Sequence, residues 1–211
     1  MLVVVASSRD RIAARLVTRW GADRAALLTC RDLSRPGWRY SPGAAGRSVA
    51  VTGERRVRAS EIEGVLVRLP YVPVEELAHI VPADRSYVAR EMTAFLTAWL
   101  SELPCRVVNR PSAVCLAGPG WGPEQWRQVA RRLGLAVTPR GHRASRVTVV
   151  GERSLGADSG RGHARLLADA AGLALLDVRF DADLRVVGID AWPDVARPQL
   201  ADALLEYLQR R

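Results

Sequence analysis

The chain contains no lysine; all 31 of its basic residues are arginine. The lysine of a G-x-x-x-x-G-K-[ST] phosphate loop is thereby excluded. Cysteine is scarce too. Cys30, Cys105 and Cys115 are odd in number and lack C-x-x-C spacing, which excludes a paired disulfide framework and makes buried free thiols the plainer reading. His79, His142 and His163 are the only histidines, and none lies in H-E-x-x-H, just as no serine lies in G-x-S-x-G. No apolar run approaches the roughly 20 residues needed to cross a bilayer, so no membrane partner is expected. Met1 to Arg9 has no basic region ahead of a long apolar stretch, so it reads as a first strand and not a signal peptide, and a cytoplasmic location is expected.

What is present is ordinary for a globular protein. The 211 residues are 48% hydrophobic and 25% charged, enough for one large or two small domains with a sizeable core. The net charge of +9 raises the question of nucleic acid. The arginines are scattered singly and form no long block, and the chain is also rich in Ala, Gly, Val and Leu. A GC-rich coding bias accounts for both features without a special partner, so arginine-driven nucleic-acid binding stands only as an alternative.

Along the chain, Val3-Val4-Val5 starts a buried strand, and Ser8 or Asp10 can cap a helix carrying Ile12, Ala13, Leu16, Val17 and Trp20, stopped by Gly21. Residues 25–30 form the second strand, and this β-α-β opening predicts a parallel sheet. Short strands over 38–40, 48–51 and 56–58 follow, then a buried strand over 63–68. A long helix begins at Asp84 or Ser86 and ends before Pro104, ahead of a strand over 106–109. Gly118 to Pro123 lacks the phosphate-loop pattern and is read as a turn before a helix over 124–133. Residues 146–151 form a strand and 161–171 a helix. A hairpin over 175–180 and 185–190 turns at Asp181-Ala182-Asp183, and 198–211 is an amphipathic closing helix. Ser154 and Ser159 fall in a turn-rich stretch.

Three blocks, in order, resemble the ATP-grasp family of peptide and amino-acid ligases. The first is Gly64-Val65-Leu66-Val67-Arg68 with the helix over 94–103. The second is Arg106-Val107-Val108-Asn109-Arg110-Pro111, the helix over 126–133, and Gly134-Leu135-Ala136-Val137-Thr138-Pro139. The third is 166–173, then Leu176-Asp177-Val178-Arg179-Phe180 and Val186-Val187-Gly188-Ile189-Asp190-Ala191-Trp192-Pro193. The resemblance implies an α/β fold: a pre-ATP-grasp-like parallel sheet with flanking helices over 1–112, then a small α+β remnant of the ATP-grasp C-terminal lobe over 113–211.

The departures carry as much meaning. In the family, a lobe with phosphate-binding lysines follows the passage that ends near Pro139. Here only Arg140-Gly141-His142-Arg143-Ala144-Ser145 precedes the strand at 146, so the resemblance implies a form truncated of its nucleotide clamp. The family's magnesium ligands map onto Asp177, with Gly188 in place of a glutamate and Asp190 in place of an asparagine. Magnesium wants several hard oxygens in near-octahedral order, so Asp177 and Asp190 make a weak metal pair and no cofactor is expected.

The leading expectation is a degenerate, non-catalytic binding partner or substrate-recognition subunit in a peptide-modification or natural-product pathway. Its partner would be a companion enzyme or a peptide or amino-acid substrate, met through Arg68, Asn109, Arg110 and Trp192, and the chain could form a homodimer. The enzyme-class alternative is ATP-independent, metal-assisted chemistry around Arg68, Asn109, Asp177 and Asp190. His163 with the two aspartates is the metal set considered for it. Against that set stands pairing of the aspartates with the many arginines.

Overall fold

The computed structural model describes residues 1–138 and 145–210; the intervening link, His142 included, and Arg211 lie outside the described residues. The chain divides into two units. One takes in Met1–Ala117 with the last residues from Leu208 onward, and the other Gly118–Tyr207.

The first unit is built on a parallel sheet. Its elements are β1 (Leu2–Val5), α1 (Arg11–Trp20), β2 (Ala25–Leu28), β3 (Val49–Thr52), β4 (Arg55–Arg58), β5 (Gly64–Val67), α2 (Arg85–Glu102) and β6 (Arg106–Val108). β2, β1, β5 and β6 lie side by side in that order, all parallel, while β3 and β4 pair as a separate antiparallel hairpin. Every residue of β1 and β5 is buried, which is why both read as unbroken apolar runs without alternation. Val3, Val5, Val65 and Val67 share a core with Leu96, Trp99 and Leu100 of α2. Trp38 stands edge-on to Phe95 and Trp99, with ring centroids 5.2 and 5.5 Å away. Asp10 is the residue that caps α1: its carboxylate accepts from the amides of Ile12 and Ala13.

The second unit holds α3 (Pro123–Arg132), β7 (Ser145–Val150), β8 (Arg153–Gly156), α4 (Arg161–Ala171), β9 (Leu175–Phe180), β10 (Val186–Asp190) and α5 (Pro198–Gln209). Its sheet runs β10-β9-β7-β8, antiparallel throughout. Trp126 and Ala130 of α3 and Ala164 and Leu167 of α4 cover one face, packing on Val147, Val149, Val178 and Phe180. Side chains alternate across a strand, so the neighbours Thr148 and Asp177, paired in register, turn to the other face. The structure departs from the sequence reading at two strands: 153–156, expected as turn, pairs with β7 as β8, and 38–40, expected as a strand, forms only an isolated bridge between Arg39 and Val49. At Gly156, where φ is +99°, an added Cβ would run into the main-chain carbonyl of Arg146.

The fold is therefore the expected α/β class, a parallel sheet with flanking helices followed by a smaller antiparallel part. No helix among the described residues is long and apolar enough to cross a membrane.

Candidate functional site

In the first unit, the carboxyl ends of β1 and β5 meet where the chain order reverses, the position at which open parallel sheets form crevices. The polar groups there are turned onto one another. Arg68 follows β5, and its Nε donates to Asp10 Oδ2 at 2.8 Å, so it buttresses the α1 cap from a largely buried position. Glu76 accepts hydrogen bonds from the Ser7 hydroxyl and from the amide and hydroxyl of Ser8, at 3.2 and 2.9 Å for Ser8. Partial burial opposes its charged form, but these donors, aided by Arg9, hold its carboxyl below the ordinary value. Asn109 is buried just past β6. Arg110 closes the end of α2, its guanidinium donating to the carbonyls of Leu100, Ser101, Leu103 and Cys105 at 3.1–3.3 Å.

In the second unit, the polar groups gather around one buried carboxylate. Asp177 is only 4% exposed, and both of its oxygens are engaged. Thr148 Oγ1 donates to Oδ1 at 2.5 Å, and Arg197 Nη2 lies 3.6 Å from the same oxygen while donating to Thr148 Oγ1 at 3.1 Å. Arg146 Nε is 3.1 Å from Oδ2. The two arginine side chains remain 49% and 35% exposed, so a hidden acid holds two cations that still face solvent. Beside them opens a cavity of about 470 Å³ walled by Leu155, Pro198 and Leu200.

Asp190 stands opposite Asp177 across the β9–β10 pair. Its Oδ1 accepts from the amide of Trp192 at 2.7 Å, an Asx turn, and Trp192 itself is 39% exposed. Gly188 pairs with Arg179, and a Cβ at Gly188 would lie 2.5 Å from Arg179 Nη2, so a guanidinium fills the space a side chain would take. Sequence reasoning placed Asp177 and Asp190 but missed Arg146 and Arg197. The one available signal was that a buried aspartate in an arginine-rich chain needs cationic partners, and it could not say which of 31 arginines they are.

The remaining candidates stand apart from the Asp177 cluster. His163 packs against Phe180 on the sheet face away from Asp177, with ring centroids 6.1 Å apart. His79 Nε2 is 2.8 Å from Ser34 Oγ at an exposed position. Burial above all, then the negative charge of Glu76, pushes the Cys30 thiol up to about 12, so at neutral pH it is a protonated and unreactive group. Trp126 is core, with Trp121 edge-on to it at 4.9 Å.

This architecture matches solved ligases of the ATP-grasp kind along its whole length. The ATP-grasp ligase PsnB, complexed with a minimal precursor, aligns at TM-score 0.66 and 14% identity, covering 98% of each chain. The macrocyclase MdnC from Microcystis aeruginosa MRC, bound with precursor peptide MdnA, aligns at 0.65 and 14% identity over 99% of each chain. The macrocyclase MdnB from the same source aligns at 0.68 and 10% over 98% of each. No family model matches the chain, and no curated protein does. At such identities the likeness establishes an ATP-grasp-like fold. Because the aligned spans take in nearly all of the solved chains, they mark no missing lobe.

That fold implies a magnesium nucleotide, and the donor set here does not fit one. Of the three positions that resemble the family's ligands, Asp177 has both oxygens bound internally, Gly188 has no side-chain oxygen and is overlain by Arg179, and Asp190 is tied to a turn. Among the described residues no three His, Cys, Asp or Glu side chains converge as a metal group. Arg146, Arg179 and Arg197 outnumber the two aspartates on this face, a balance that repels a dication.

Proposed function

We propose that this protein is a recognition subunit of a peptide-modification pathway that binds a peptide or a companion enzyme and performs no ATP-dependent ligation. The observation that carries the reading is the Asp177 cluster, in which two guanidinium groups occupy the carboxylate that the sequence resemblance would assign to magnesium. Two features of the sequence support it. Only residues 139–144 separate Thr138 from Ser145, too short a link for a clamping lobe, and no lysine exists to grip a triphosphate. Arginine presents a planar fork and is a poor replacement for several compact ammonium charges. The peptide partner is supported by the fold neighbours, since PsnB is seen with a minimal precursor and MdnC with precursor peptide MdnA.

Arg68, Asn109, Arg110 and Trp192 divide within this reading. Arg68 and Arg110 hold helix ends, Asn109 is buried beneath the surface, and Trp192 offers its partly exposed side chain to the partner. Homodimerisation is part of the proposal, read by light scattering. The functional test is an ADP-release assay with ATP, magnesium and an acidic peptide. No release above the protein-free blank is expected, while release coupled to loss of water from the peptide would overturn the reading.

A further inference from the structure

We infer that the solvent face of α1 is a docking surface for duplex nucleic acid, met through its phosphate backbone without reading sequence. This surface lies in the first unit and is independent of the Asp177 cluster and of the function drawn from it.

Away from the helix ends that Arg68 and Arg110 hold, Arg11, Arg15 and Arg19 recur every four residues. The helix period gathers them into one exposed row about 12 Å long, opposite the buried Ala13, Leu16 and Trp20. Like charges at that spacing repel, and Arg11 sits in the first turn, where the helix dipole disfavours a cation. α1 has no acidic residue of its own. Asp10 is the only acid from Arg9 to Ala22, and its carboxylate is occupied by the α1 cap and by Arg68. Among the described residues, the Arg11 and Arg15 side chains meet no carboxylate or carbonyl. Elsewhere the fold does neutralise helical arginines: Arg127 and Arg131 of α3 lie against Glu124, and Arg161 and Arg165 of α4 against Asp158 and Asp169. A coding bias explains why the basic residues are arginine, but not why they line up on a helix without an acid. At the far end, Arg55 of the β3–β4 hairpin donates to the Ala22 carbonyl at 3.4 Å and brings one more guanidinium beside the row. The row carries a repulsion that an external polyanion relieves.

What else the face offers decides the kind of polyanion. The other exposed side chains of α1 are Ala14 and Thr18, and the Thr18 hydroxyl is turned back onto the Ala14 carbonyl at 3.0 Å. A protein partner is gripped through an apolar or aromatic centre, which this face lacks. A bilayer surface needs Trp, Phe or Leu to insert beside the cations, and a single strand needs aromatic rings for its bases. A duplex needs neither. Each of its strands carries a charge about every 3.4 Å, and guanidinium groups meet phosphate oxygens by charge and hydrogen bonds alone. DNA and RNA duplexes present the same phosphodiester chemistry, and the test separates them.

The test is fluorescence anisotropy of the whole protein with short labelled DNA and RNA duplexes, two unrelated sequences of each, titrated across salt. At least one duplex type is expected to bind, equally for its two sequences, the tighter type identifying the source. For DNA, log K should fall against log salt with a slope of about −3, roughly 0.9 for each arginine of the row. Arg11→Gln combined with Arg15→Gln should weaken binding about tenfold at low salt and reduce the slope by about 2. Its thermal midpoint should hold or rise, because like-charge repulsion is relieved, and this separates lost contacts from lost folding. Arg11→Lys combined with Arg15→Lys keeps the charge and should keep the slope. Arg90→Gln combined with Arg132→Gln removes the same charge from exposed positions on α2 and α3 and should also leave the slope unchanged. No binding to either duplex in dilute buffer, the same loss from both glutamine pairs, or tighter binding to a polyglutamate peptide or to phosphatidylserine vesicles would overturn the inference.

Discussion

The two units use arginine in opposite ways. In the first, Arg68 is tied to the α1 cap and Arg110 donates to four carbonyls at the end of α2, so each cation completes a helix terminus. In the second, Arg146 and Arg197 share one buried acid and keep about half and a third of their side chains in solvent. Arg110, whose two terminal nitrogens each meet two carbonyls, is structural. A guanidinium that is anchored at a single edge has donors left for something else. The difference lies in how many partners surround the group, not in the residue type.

Substitutions sharpen that contrast. The largest effect belongs to the hydrophobic core that supports the first unit: Trp99→Ala should cost about 3–5 kcal/mol in chemical denaturation, since Trp99 is almost wholly buried against the sheet. Asp177→Ala should cost the second unit about 2–3 kcal/mol. That is less than the roughly 3–5 kcal/mol of a fully buried pair, because the stranded arginines can turn to water. Arg110→Ala should lose about 1–2 kcal/mol by opening the α2 terminus. Arg146→Gln should cost less, about 1 kcal/mol or below, because Asp177 keeps Thr148 and Arg197. If Arg146→Gln cost as much as Arg110→Ala in chemical denaturation, the distinction between the units would collapse.

The smallest effect is a pH dependence confined to the first unit. Glu76 is held below its ordinary value of 4.5 by the Ser7 and Ser8 donors, so its contribution is present above that pH and is lost as pH falls through the lower folded-state value. Glu76→Gln should therefore be less stable than the parent chain at neutral pH, with the gap closing in acid. A gap independent of pH would mean the carboxylate is not what the serines hold.

Most of the fold was legible in the sequence because its strands are short and fully buried. Val3–Val5 and Val65–Val67 advertise a parallel sheet by composition alone, and Gly21 and Gly172 mark helix ends by their conformational freedom. β8 was not legible, since Arg153-Ser154-Leu155-Gly156 has one apolar residue and becomes a strand only through pairing with β7. The candidate site was half legible. Asp177 and Asp190 stood out by their place in a hairpin, whereas Arg146 and Arg197 come from separate elements and meet only in three dimensions. The arginines chosen in advance, Arg68 and Arg110, are instead occupied at helix ends. Sequence spacing cannot show that a guanidinium near a helix terminus will be drawn to its carbonyls.

Whether guanidinium groups have displaced a magnesium nucleotide is best measured by calorimetric titration of the intact protein with ATP and magnesium. The account predicts no saturable heat into the millimolar range. Micromolar, magnesium-dependent binding that Asp177→Ala abolishes would contradict it.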